Sequence, residues 1–344
     1  MYFFLSVAYL LFLSKLFAAP IEPEQNTFKG GNKAEVANNK YDKREQGTFQ
    51  VGNKPEPKST PEMYHLKKSD LNYKLTPKLQ LPISNVDVFV LTFPSLIETP
   101  YAENNTVYAE YYVPKNLKIF PATVVLDITG GDQSLSRTIS SYLASRGIGA
   151  LFVQMAYYGP RRPPGSKVRL LSPDIKHTTK AIQQTVLDIR CATAWLEQRE
   201  NVDKARIGIT GTSLGSMIGA LSAEMEPSVT KVVVLLGGGG LIEGYYDHPQ
   251  ALLLRKGFEL FGGTKKQLVN LLAPIDPLTY AENLKEKQLL QIAGKNDEIV
   301  PPSMAKALWE KSGKQQIQWY DCGHYTAAFY FFDALNLIAN HLKK

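Results

Sequence analysis

The apolar positions change texture near residue 84. Beyond it, short β-branched runs alternate with stretches whose apolar residues recur every three or four positions. Val86 to Phe93 and Thr106 to Val113 read as two early strands joined by a polar loop around Asn104–Asn105. Thr123 to Asp127 is a short strand running into Gly130–Gly131, and Ser134 to Arg146 follows with helical spacing until Gly147 stops it. Gly149 to Gln154 reads as a strand, and Thr178 to Glu200 as a long amphipathic helix with Ile182, Val186, Ile189 and Trp195 on its buried side. Strands at Arg206 to Thr210, Lys231 to Leu236, Gln288 to Ala293 and Gln315 to Tyr320 complete the series, and a helix from Thr326 to Leu342 ends it. Strands alternating with helices predict an α/β domain over 81–344, with a mostly parallel central sheet covered by helices on both faces. Residues 241–286 break the rhythm after the sixth of these strands as a helical, cap-like insertion, at the strand ends where ligands bind in open sheets.

Upstream the pattern is different. Tyr2 to Ser14 is almost wholly apolar and leads into Ala18-Ala19-Pro20, which reads as a signal peptide over 1–19 that exports the chain to the periplasm or the cell exterior. An uncleaved membrane anchor is the alternative, and a membrane partner enters only in that case. Residues 20–80 are rich in Asn, Lys, Glu, Gln, Pro and Gly with sparse apolar positions, so a flexible polar linker is expected.

The 344 residues carry 39 Lys plus Arg against 32 Asp plus Glu, a net charge of +7, but both signs are interspersed and no basic stripe holds interleaved aromatics. No nucleic-acid partner is expected. No internal repeat is visible, and two cysteines, Cys191 and Cys322, are too few for a disulfide scaffold. Whether these two pair with each other or stay as buried thiols is open. Asn104-Asn105-Thr106 fits a glycosylation sequon.

Gly211-Thr212-Ser213-Leu214-Gly215 is a G-x-S-x-G pattern directly after a strand and before a helical stretch, Leu214 to Met225. Glycines suit a strand-to-helix reversal too tight for side chains, and the reversal lifts Ser213 above the sheet edge at a helix N-terminus. A serine needs a base oriented by a carboxylate. Asp297 and His324 follow in that order, each straight after a predicted strand, on the rim where Ser213 stands. Glu298 and Asp276 are the other acids, Asp276 reading as a helix cap or turn; His177 and His248 follow no strand, and His341 reads as an exposed helix residue. Oxyanion donors are expected from the backbone of Leu214 and of Gly130 or Gly131.

The stretch 120–342 resembles the α/β-hydrolase fold, and within it the dienelactone-hydrolase-like and acetyl-xylan-esterase-like serine hydrolases. The resemblance rests on V-V-L-D-I-T-G-G, A-Y-Y-G-P-R-R-P, G-I-T-G-T-S-L-G, D-P-L-T-Y, G-K-N-D-E-I-V-P and C-G-H-Y. It implies hydrolysis of a small-molecule ester or acylated carbohydrate, through an acyl-enzyme and with neither metal nor organic cofactor. By position, Ser213 is then the nucleophile, His324 the general base and acid, and Asp297 its orienting carboxylate. Thr129 stands where many relatives have His, and Ser213 where dienelactone hydrolases commonly have Cys. An acyl-CoA thioesterase or acyltransferase is the nearest alternative, and a catalytically silent binding module the alternative from another class.

Substrate choice is expected in the loop 157–176 and the insertion. Tyr157, Tyr158, Tyr245, Tyr246, Phe258, Phe261 and Tyr325 are the candidates to wall an apolar site, each weighed against plain core packing. Arg161 and Arg162, set between prolines, could hold an acidic substrate group near the rim, with a solvated surface pair the favoured reading.

Overall fold

The computed structural model describes residues 44–344, apart from Gly131, Gln250 and the side chains of Leu253 and Leu254. The segment expected as signal peptide or anchor, 1–19, and the start of the expected linker lie outside these residues.

Ten strands form one sheet: β1 (Glu45–Val51), β2 (Ser69–Leu81), β3 (Val86–Pro94), β4 (Thr106–Pro114), β5 (Phe120–Leu126), β6 (Gly149–Val153), β7 (Val202–Thr212), β8 (Lys231–Leu235), β9 (Gln288–Gly294) and β10 (Gln316–Tyr320). Their order is β1-β2-β3-β4-β6-β5-β7-β8-β9-β10. Pairing is antiparallel from β1 to the β4–β6 contact and parallel from β6 to β10.

The described part of the expected linker is corrected: residues 45–81 are β1, β2 and a short 3-10 turn between them. Both strands alternate faces, with Phe49 and Val51 inward from β1 and Leu71 and Leu75 inward from β2. Phe49 meets the Phe93 ring edge-on at 5.4 Å, and Tyr73 meets Trp195 at 5.8 Å. Trp195 is fully buried, also against Tyr111. Withdrawing a side chain of that size from water contributes on the order of 2–3 kcal/mol, which makes the N-terminal strands part of the core.

Period-two alternation in the parallel strands feeds two cores. Val124, Leu126, Val232 and Val234 face α2 (Ile175–Glu197) and α3 (Leu214–Met225), whereas Val125, Val233 and Leu235 face α1 (Ser134–Ser145) and α9 (Phe331–Lys343). The insertion holds α4 (Leu241–Tyr245), α5 (Leu252–Leu260), α6 (Lys265–Leu272) and α7 (Pro277–Tyr280); α8 (Pro302–Lys311) follows β9. Asp276 caps α7 and also accepts from the amides of Gly240 and Leu241 at 2.8 and 2.6 Å, so it fastens the two ends of the insertion together. Among the described residues no helix is long and apolar enough to cross a membrane.

His341 is half-covered rather than exposed. Its Nε2 lies 3.1 Å from the Gln288 carbonyl, and burial, aided by the charges of Lys231 and Lys344, holds its pKa down to about 4 from an ordinary 6.5. The unfolded chain therefore takes up this proton first. The stability at stake is complete above about pH 6.5 and is lost as pH falls toward 4. His341→Gln should flatten the fall of Tm across that window relative to the parent, as read by thermal unfolding between pH 4 and 7.

Candidate active site

β5 lies between β6 and β7, so the chain leaves β5 toward one side and returns on the other. This is the switch point at which open parallel sheets bind ligands. Ser213 follows β7 at that point with φ 53° and ψ −119°, a strained conformation for a residue with a side chain. Its amide donates to the Leu235 carbonyl at 2.8 Å. The flanking glycines are dictated by space. A Cβ on Gly211 would lie 2.2 Å from the Gly215 carbonyl oxygen, and one on Gly215 would lie 2.3 Å from that of Asp127.

The loops after β9 and β10 bring Asp297 and His324 to Ser213. His324 Nδ1 lies 2.8 Å from Asp297 Oδ2, and its Nε2 lies 3.1 Å from Ser213 Oγ. The other carboxylate oxygen of Asp297 accepts from the amides of Ile299 and Val300 at 2.9 and 2.8 Å. Asp297 and Ser213 are buried, and His324 is partly open to solvent. Glu298, the neighbouring acid, does not meet the ring; its carboxylate accepts from the main-chain amide of His324 at 3.1 Å. His248, on the insertion, has Nε2 2.9 Å from the Glu298 carbonyl, so this segment links insertion, acid loop and histidine loop.

Leu214 is the first residue of α3, and an amide there has no intrahelical acceptor. The amide of Gly130 is already engaged, donating to the Tyr158 hydroxyl at 3.0 Å. Gly131 lies outside the described residues.

The five tyrosines separate. Tyr325 packs its ring edge against His324 at 5.7 Å. Tyr245 is half-buried beside Met217 and Val300, and burial with the charge of Asp297 pushes its hydroxyl up to about 12. Tyr158 reaches the loop after β5. Tyr157 and Tyr246 go elsewhere. Tyr157 packs in the core against Tyr101 and His177, while Tyr246 bonds Glu259 at 2.5 Å and lies against Arg255 and Lys265 within the insertion. Phe261 is exposed, and Phe258 packs over Gly263.

Arg161 is not solvated: it is fully buried and paired with Asp188 at 2.7 Å. Asn104 of the sequon is buried too, donating to Gln184 Oε1 at 2.8 Å, so the folded chain keeps it from modification. Cys191 and Cys322 are buried free thiols. Among the described residues no group of three or more His, Cys, Asp and Glu is placed to hold a metal. A cavity of about 130 Å³ beside Asp276 and Lys311, and a cleft of about 450 Å³ around Arg190 and Glu226, both lie apart from Ser213 and His324.

The sheet order, the serine at its switch point and the carboxylate and histidine on later strand ends define an α/β-hydrolase fold, and the chain resembles its serine hydrolases. Residues 175–328 match the model of the prolyl oligopeptidase family, and residues 89–239 match that of alpha/beta hydrolase domain containing 18. Acetyl xylan esterase 1 from Thermoanaerobacterium sp. JW/SL YS485 superposes with a TM-score of 0.61 at 20% identity, over 79% of this chain and 88% of that one. The acetyl xylan esterase of Paenibacillus sp. R4 gives 0.61 at 16% identity, over 78% and 88%. The similarity to these two structures establishes the fold. Uncharacterized proteins from two Mycobacterium tuberculosis strains (CDC 1551 / Oshkosh and ATCC 25618 / H37Rv) are 27% identical over 184 residues, 52% of this chain; the match spans 42% of their length.

The contact between Gly215 and Asp127 is testable by contrast. Gly215→Ala should destabilise by about 1–3 kcal/mol and lower Tm by several degrees. Gly257→Ala, in α5 with open space at its Cβ, should be neutral or stabilising by up to about 1 kcal/mol. Denaturant melts of the two variants beside the parent give both values.

Proposed function

We propose that the protein hydrolyses carboxylic esters through an acyl-enzyme on Ser213. The observation that carries this reading is the relay from Asp297 through His324 to Ser213, at 2.8 and 3.1 Å. Ser213 Oγ attacks the ester carbonyl carbon as its proton passes to His324 Nε2, and the carbonyl electron pair moves onto oxygen. Asp297 accepts the Nδ1 hydrogen and keeps the ring in the tautomer that receives at Nε2. The Leu214 amide donates to the oxyanion; one such donor is worth about 3–4 kcal/mol in the transition state. The imidazolium returns its proton to the departing alkoxide, which leaves as an alcohol. Water then attacks the acyl-Ser213 in the same way and releases the acid.

Tyr325 and Tyr245 flank the relay and are the substrate contacts in this reading, which suits a small ester or an acylated carbohydrate. The similarity in structure to the two acetyl xylan esterases supports that substrate class. We place the enzyme outside the cytoplasm, exported by residues 1–19 or held by them at a membrane; the mass of the mature chain from whole cells distinguishes the two.

The test is hydrolysis of p-nitrophenyl esters, acetate through octanoate, by the full chain. Ester turnover with a chain-length optimum is expected. Ser213→Ala should lower kcat/KM by at least about 10⁴-fold and Asp297→Asn by about 10³–10⁴-fold. The prolyl oligopeptidase match favours one further arm, a peptide p-nitroanilide; turnover of the anilide without the esters would transfer the same chemistry to amides. A chain that neither turns over any ester nor labels at Ser213 with a fluorophosphonate would overturn the reading.

A further inference from the structure

His324 is carried by a loop that leaves β10, and among the described residues that strand pairs with β9 alone. The ladder runs in register from Gln316 opposite Leu290 to Tyr320 opposite Gly294, and both chains then turn toward the site. Pairing does not stop at the strand ends. The amide of Lys295 donates to the Tyr320 carbonyl at 2.9 Å, and that of Asn296 to the Cys322 carbonyl at 3.0 Å. Asn296 Nδ2 donates to Asp321 Oδ1 at 2.9 Å. The acid loop and the histidine loop are thus laced together rung by rung as far as Cys322. Their main chains touch where the lacing starts, since a Cβ on Gly294 would lie 2.6 Å from the Cys322 carbonyl oxygen.

The last two rungs both end on His324, and they come from successive acids. Asp297 Oδ2 lies 2.8 Å from Nδ1 and holds the ring, while Glu298 Oε2 accepts from the main-chain amide at 3.1 Å and holds the backbone. Gly323 clears the way for this second contact, because a Cβ there would lie 2.4 Å from Glu298 Oε2. A carboxylate oxygen is a stronger acceptor for an amide than a neutral carbonyl is. The turn's own bonds, from the Gly323 amide to Thr326 Oγ1 at 2.8 Å and from the Ala327 amide to the Gly323 carbonyl at 3.1 Å, are internal and do not fix where it stands. Glu298 is steadied in turn from the insertion, with His248 Nε2 2.9 Å from its carbonyl. A ring held at Nδ1 alone can swing about that contact. Holding the main chain as well decides where Nε2 falls, 3.1 Å from Ser213 Oγ. Displacements of about 1 Å between reacting groups cost on the order of 10²-fold in rate.

We propose that Glu298 is a positioning residue: its carboxylate, seated on the His324 amide, sets the main chain of the base so that Nε2 faces Ser213 Oγ. This rests on the ester-hydrolase reading. Glu298 handles no proton in this role, and Asp297 remains the carboxylate that orients the ring.

The experiment compares Glu298→Ala and Glu298→Gln with the parent, all as the full chain. Alanine removes the acceptor, whereas glutamine keeps a side-chain oxygen for the amide. Hydrogen exchange of peptides covering 321–326, read by mass spectrometry, should accelerate about tenfold in the alanine variant, and this readout needs no turnover. With p-nitrophenyl acetate, kcat of the alanine variant should fall about 10- to 30-fold while KM stays within about twofold. The glutamine variant should recover kcat to within about threefold of the parent. Glu298 is exposed, so Tm should move little in either variant. Unchanged exchange in the alanine variant overturns the proposal. Faster exchange with unchanged kcat overturns it as well, because the contact is then structural only. A raised KM at constant kcat makes Glu298 a substrate contact and likewise overturns it. A glutamine variant as slow as the alanine one means that the charge matters and the bond does not, which overturns the role assigned. Failure of the esterase reading is separable: there the parent itself neither turns over esters nor labels at Ser213 with fluorophosphonate, and the proposal falls with it. In a parent that labels but turns over no ester, the labelling rate takes the place of kcat. An alanine variant that labels about tenfold more slowly then supports the proposal, and one that labels at the parent's rate overturns the positioning role alone.

Discussion

The approach of α3 to the end of β5 is the constraint on which the site depends. The Gly215 position lies so close to the Asp127 carbonyl oxygen that a single methyl group would fill the gap at 2.3 Å. That proximity sets Ser213 at the strained junction of β7 and α3, and it sets the loop after β5 alongside. Both follow from the strand order, because β5 and β7 are paired neighbours although α1, β6 and α2 intervene in the chain. The fully buried rows Val124–Leu126 and Ile207–Ile209 keep those two strand ends from separating. The two cores thus supply the rigidity, and the glycines supply the space.

Around this constraint the polar groups divide into two kinds. Asp297, His324 and Ser213 form a short relay in which each carboxylate oxygen has an assigned partner. Behind the loops, Arg161, Asp188, Asn104, Gln184 and Ser95 form a larger buried set whose bonds run mostly to main-chain carbonyls or to one another. Such a set specifies one loop conformation rather than adding stability, since an unsatisfied member would cost about 1–3 kcal/mol and penalise every alternative shape. The insertion is joined to the relay more lightly, through His248 on the Glu298 carbonyl and Tyr245 beside Asp297.

How much of this was legible in the sequence depended on whether the deciding partner was local. The strands from β3 onward declared themselves as apolar runs, and the elbow by its glycines, because in both cases the cause lies within a few residues. Ser213, Asp297 and His324 were found by order and by their places after strands, which the fold turns into proximity. β1 and β2 do not stand out because they bury only alternate residues; Phe49, Val51, Leu71 and Leu75 keep a period of two, but diluted by Lys, Asn and Gln. Arg161 was misread because proline neighbours and a second arginine suggest solvent, whereas its burial is decided by Asp188, 27 residues on, and by a carbonyl from β3–β4. Tyr246 and Tyr157 were indistinguishable from site residues by type alone. Their partners, Glu259 with Arg255 and Tyr101 with His177, come from packing that no local pattern encodes.

The placement of His324 gives the molecule an order in which it fails and in which it is completed. Its loop hangs from β10, which among the described residues pairs with β9 alone and forms one margin of the sheet. A margin strand has neighbours on one side only, so it opens at lower free energy than β5 or β7. Fraying there carries His324 away from Asp297 and Ser213 while leaving the elbow intact, so the relay comes apart before the secondary structure melts. During synthesis Ser213 emerges with its turn already foldable, and meets His324 only once β10 has docked on β9. The elbow thereby forms ahead of the relay it belongs to.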